Sequence, residues 1–114
     1  MKHFGAILVF PAWLMTSLCH ANDFPTAGRV DFVLECMSER SGSRFEMLNK
    51  CSCALDRLAE QYSYDDFVEA QTMAKSVTIA GERGSTLRDN EEVQQAARKY
   101  RAAVAAAAQA CYLR

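Results

Sequence analysis

The sequence predicts an all-α, disulfide-stapled bundle of about four helices, entered after a cleaved leader. Three observations lead there. Apolar residues recur at spacings of three and four along much of the chain. Four cysteines lie beyond the leader, a density usual in small exported domains. No run of β-branched residues is long enough to demand a strand. With 114 residues, the chain allows one domain. Half of its residues are hydrophobic, which argues against disorder.

Residues 1–21 read as a secretory signal peptide. Lys2 and His3 form a short positive start, and Phe4 to Met15 is a nearly unbroken apolar run. That run is shorter than the ~20 residues a membrane-spanning helix needs. Cys19-His20-Ala21 ends on a small residue, suited to cleavage before Asn22. An uncleaved anchor, or a lipid-modified Cys19, is the less favoured reading. The mature chain is then a single helical domain, 22–114. Removing the leader discards His3, His20, Trp13 and one of the five cysteines. Four remain: Cys36, Cys51, Cys53 and Cys111.

Asn22 to Gly28 reads as an irregular lead-in. A first helix is expected from about Arg29 to Glu39, with Val30, Val33, Leu34 and Met37 on its buried face. Ser41-Gly42-Ser43 breaks it. The second helix, about Arg44 to Gln61, carries Leu48, Cys51, Leu55, Leu58 and Tyr62 on one stripe. Ser63 and Asp66 mark the start of a third helix, about Tyr64 to Ile79, with Asp65 and Asp66 favourable to its dipole. Its weaker stripe is Phe67, Ala70 or Gln71, Ala74, and Val77 or Thr78. Gly81 to Ser85 is expected to be a loop. The fourth helix, about Asn90 to Leu113, is capped by Asp89 or Asn90. Val93, Ala97, Tyr100, Val104, Ala107 or Ala108, and Cys111 line one side. The alanine run 102–108 has high helix propensity, and its small side chains allow close helix approach.

Four cysteines in a small exported chain point to two disulfides, each worth ~2–4 kcal/mol. Three pairings exist. Cys51 and Cys53 are ~200° apart around a helix, so one helix can be stapled on two sides. An antiparallel hairpin turning near Gly42 puts Cys36 opposite positions 48 to 51. This favours Cys36–Cys51 with Cys53–Cys111; Cys36–Cys53 with Cys51–Cys111 stays open. A Cys51–Cys53 bridge strains one helical turn.

A mature chain without His lacks His-based acid–base chemistry, Ser-His or Cys-His pairs, and His metal ligands. No phosphate-binding glycine motif is present. The near-zero charge of −1 argues against nucleic acid as a partner. Once the leader is gone, no membrane association is expected. No cofactor is expected either. Thiolates at Cys51 and Cys53, with thioethers from Met37, Met47 and Met73, suit Cu(I) or thiol redox chemistry. The methionines also follow helical stripes, which favours a core role. Aromatic and acidic groups at Tyr62 to Phe67 suggest a partner surface around Tyr64 and Asp65. The competing expectation, and the favoured one, puts Tyr62 and Phe67 in the core and leaves only Tyr64 exposed. Arg83 and Arg88 offer a second contact or a solvated loop, and solvation is favoured.

Asn49 to Asp56, Tyr64 to Ala70 and Gly81 to Gly84 together resemble a group of small exported four-cysteine bacterial proteins without assigned activity. That group is associated with periplasmic alcohol oxidation by quinoprotein dehydrogenases. The resemblance covers most of the mature chain and carries no catalytic motif. It implies a periplasmic compartment and an accessory role. The leading expectation is therefore a non-enzymatic periplasmic binding or accessory protein. Its partner is an unknown periplasmic protein, with a quinoprotein dehydrogenase system as the implied setting. The alternatives are a Cu(I)- or thiol-handling protein and, last, a secreted enzyme.

Overall fold

The computed structural model describes residues 22–114, and the expected leader, 1–21, lies outside them. The described residues form five helices and no strand: α1 (Thr26–Ser38), α2 (Arg44–Ala59), α3 (Tyr64–Ser76), α4 (Glu82–Arg88) and α5 (Glu91–Ala110). The fold is a small all-α bundle closed by two disulfides, Cys36–Cys51 and Cys53–Cys111. The long helix α5 packs against α2, α3 and α4, while α1 packs along α2. The core gathers Phe32, Leu55, Leu58, Phe67, Ala97 and Tyr100 between these helices.

Helix starts follow the side chains that cap them. The Ser43 hydroxyl accepts from Glu46 N–H, Ser63 from Asp66 N–H and the Asn90 amide oxygen from Val93 N–H. Each satisfies a first-turn donor that has no partner inside its helix. Helix α1 is different. It starts at Thr26, three residues before the expected Arg29, because Pro25 is an extended N-cap residue that leads straight into helical geometry. Gly28, assigned to the lead-in, therefore lies within α1. A Cβ on Gly28 would come within 2.7 Å of the Tyr64 ring, so glycine permits that approach.

The buried face of α1 is rotated from the expected one. Phe32 and Cys36 are buried, Val33 and Met37 pack at the core edge, and Val30 and Leu34 are exposed. The Cys36–Cys51 bridge and the Phe32–Phe67 ring contact set that rotation. On α2, Met47, Cys51, Ala54, Leu55 and Leu58 are buried, whereas the expected Leu48 is exposed. On α3, Phe67, Ala74 and Val77 are buried, as the stripe predicts. That helix ends at Ser76, earlier than Ile79, in tight turns in which Thr78 and Ile79 donate to Lys75 and Ser76 carbonyls.

The segment expected to be a loop contains α4. Arg88 donates through its guanidinium to the carbonyls of Ile79 and Gly81, folding the connection back on itself. Gly84 is buried where any Cβ would collide with the Ile79 carbonyl oxygen. Helix α5 ends at Ala110 rather than Leu113. Tyr112 takes a left-handed conformation, and the N–H groups of Leu113 and Tyr112 return to Ala108 and Gln109 carbonyls. This Schellman turn buries Leu113 and holds Cys111 at the last turn.

Candidate functional site

The four cysteines of the described residues are all consumed in bridges. Cys36 joins Cys51, 15 residues away, and Cys53 joins Cys111, 58 residues away. Cys51 faces the core and is fully buried, while Cys53 lies at the core edge on the other side of α2. Helix α2 is thus tied to α1 on one side and to the end of α5 on the other. Both sulfurs of the Cys51-Ser52-Cys53 segment are bonded, so neither is a thiolate ligand for Cu(I) in this state. Met47 is buried and Met37 packs against the core. Among the described residues, no group of three or more His, Cys, Asp or Glu side chains could hold a metal ion.

The expected partner surface does not assemble. Tyr64 and Asp65 open α3, whereas Arg83 and Arg88 belong to α4, beyond the far end of that helix. The 13 residues of α3 stand between the two groups along the chain. Tyr64 is half-buried rather than free: its ring meets Phe24 edge-on at 5.3 Å. Its N–H donates to both carboxylate oxygens of Asp23, at 3.0 and 3.1 Å. Phe67 is buried and Tyr62 packs at the core edge. Asp65 and Arg83 are exposed. Arg88, also exposed, is engaged with the Ile79 and Gly81 carbonyls, so its guanidinium braces the connection.

The structure instead brings together a cleft that the sequence did not single out. It has a volume of about 410 Å³, within the usual range for small-molecule sites. One wall is the end of α1, with Glu35 and Cys36, and the two residues that follow it, Glu39 and Arg40. The facing wall is α3, with Gln71 and Lys75. The α5 residues Tyr100, Arg101, Val104 and Ala108 line it from a third direction. Phe32 and Ala54 add apolar surface. Ala105 and Ala108 belong to the alanine run. Within the same run Ala107 and Ala108 are buried where α5 packs against its neighbours.

Charges ring this cleft. Lys75 Nζ lies 2.9 Å from Glu35 Oε1 and links the α3 and α1 walls. Arg101 donates to the Ala74 carbonyl at 3.3 Å, and Arg40 donates to the Arg114 carbonyl at 3.2 Å. The Arg40 Nε is buried without a partner. Burial pushes the Tyr100 hydroxyl up to about 12, and the carboxylates of Glu35 and Glu39 add to the rise. The Gln71 side chain opposes the rise. Tyr100 is therefore protonated throughout the physiological range.

Sequence reasoning missed the cleft because its members come from α1, α3 and α5. The local signal was present in part: Phe32, Glu35, Cys36, Glu39 and Arg40 recur at intervals that share one helix face.

Comparisons with protein families, curated proteins and solved structures find no match for this chain. Among the described residues, no helix is long and apolar enough to cross a membrane.

Proposed function

We propose that the protein is an exported, periplasmic binding or accessory protein that acts by non-covalent contact and not by catalysis. One observation carries this reading: both disulfides brace the helices that frame a mixed apolar and charged cleft. Cys36 lines that cleft, and its bridge holds the α1 wall to α2. The Cys53–Cys111 bridge holds the end of α5 to the same helix. A surface whose supports are cross-linked loses little conformational entropy on binding. The leader-like segment 1–21 supports export, and bridges of this density suit an oxidising compartment. The resemblance to small four-cysteine exported proteins points to a quinoprotein alcohol dehydrogenase system as the setting.

The test is expression of the whole chain in a Gram-negative host. The expected product is a periplasmic protein lacking 1–21, four hydrogens lighter than its reduced form, with no alkylatable thiol. It should co-purify with a quinoprotein alcohol dehydrogenase at a defined stoichiometry. Retention of Met1, or two free thiols with bound copper, would overturn the exported-scaffold reading. An oxidised, exported protein that fails to associate with the dehydrogenase would remove that partner.

A further inference from the structure

We infer that the cleft between α1, α3 and α5 binds a small amphipathic carboxylate, an organic acid with a short apolar body. This deepens the binding reading and rests on it, since it names what the cleft takes. The charge balance selects the sign of the ligand. Three cations line the cleft, Arg40, Lys75 and Arg101, against two carboxylates, Glu35 and Glu39. Lys75 already neutralises Glu35. Among the lining side chains that leaves two guanidinium groups against Glu39, with one Arg40 N–H on the main-chain oxygen of Arg114.

The donors are also of the right kind. Each of the two arginines has one N–H occupied by a backbone carbonyl and others to spare. Guanidinium groups match the planar geometry of a carboxylate. The Tyr100 hydroxyl lines the same cleft and adds an O–H donor. An acceptor-only group such as a carboxylate satisfies all three. The apolar body rests on Phe32, Val104 and Ala108, which line the same space.

The experiment is calorimetric titration of the oxidised protein with octanoate, below its micellar concentration. Octan-1-ol and octylammonium are the matched probes. The expected result is saturable 1:1 binding of octanoate, at least tenfold tighter than either probe. Loss of one charge-assisted hydrogen bond should weaken binding roughly tenfold, so Arg101→Gln and Tyr100→Phe should each show that drop. Tyr100→Phe keeps the ring against Tyr62 and Phe67, and intact disulfides with unchanged circular dichroism confirm its fold. No octanoate binding overturns the proposal. So does octylammonium or octanol binding as tightly as octanoate, or octanoate binding that both variants leave unchanged. If carboxylate binding is absent while association with a dehydrogenase is retained, only this inference fails. Loss of both removes the binding reading as well.

Discussion

Tyr100 shows how one side chain reports on its surroundings. The ring is buried against Tyr62 and Phe67, and the carboxylates of Glu35 and Glu39 add to the effect of burial on its hydroxyl. Its proton is held more tightly in the folded chain than in the unfolded one. The folded value is raised from 10.0 to about 12, so stability is intact below pH 10 and falls as pH rises towards 12. The loss should be on the order of 2 kcal/mol, because each tenfold gain in proton affinity is worth ~1.4 kcal/mol. Urea unfolding at pH 9 and pH 11 should show this slope in the wild type and a much flatter one in Tyr100→Phe. An equal slope in both proteins would assign the alkaline loss to other groups. Such a residue is only half legible in sequence. The helical stripe marks Tyr100 as core, but Gln71, Glu35 and Glu39 reach it from two other helices.

Among the elements, α3 has the most explicit start. Ser63 caps the Asp66 N–H, and Asp23 caps the Tyr64 N–H from 41 residues away. Ser63→Ala should cost about 1 kcal/mol, the usual value for a lost N-cap. Asp23→Ala should cost a similar amount, because a free N–H is left beside the packed Phe24. The two act on different donors, so the double variant should lose nearly the sum. A lower urea midpoint with an unchanged m-value is the expected signature. A clear departure from the sum would mean that the N-terminal segment detaches with either change. The Ser63 cap was readable because its partner is three residues away. The Asp23 cap was not, because only the docking of Phe24 between Tyr64 and Phe67 brings it there. Helix α4 makes the same point. Its sequence, rich in Gly and polar residues, reads as a loop until Arg88 clamps the Ile79 and Gly81 carbonyls.

For the molecule as a whole, the two bridges are unequal. Cys53–Cys111 closes a loop nearly four times as long as Cys36–Cys51. In the chain-entropy account, that difference is worth about 1 kcal/mol in favour of the longer loop. Replacing Cys53 and Cys111 together by Ser should therefore destabilise more than replacing Cys36 and Cys51 together. Denaturant unfolding of the two double variants measures the order. The reverse order would mean that the α1–α2 bridge supports native packing beyond its effect on the unfolded chain. The longer bridge also has a distinct structural consequence. It anchors the end of α5, the helix that packs against α2, α3 and α4 and lines the cleft.

Legible along the chain were the all-α class, most helix positions, the cap at Ser63, a start of α5 at Asp89 or Asn90, and a cysteine spacing suited to stapling α2 on two sides. These are local matters: helical periodicity and cap hydrogen bonds are set by residues three or four apart. Tertiary structure decided which face of α1 turns inward. That helix has apolar residues at 30, 33, 34 and 37 and again at 32 and 36, and only a neighbouring helix can choose between them. Packing also folded 82–88 into α4, buried half of Tyr64 and engaged Arg88 with two backbone carbonyls. Tertiary structure created the cleft as well. Arg40, Lys75 and Tyr100 are far apart along the chain and share one space only because two disulfides and a common core hold their helices together.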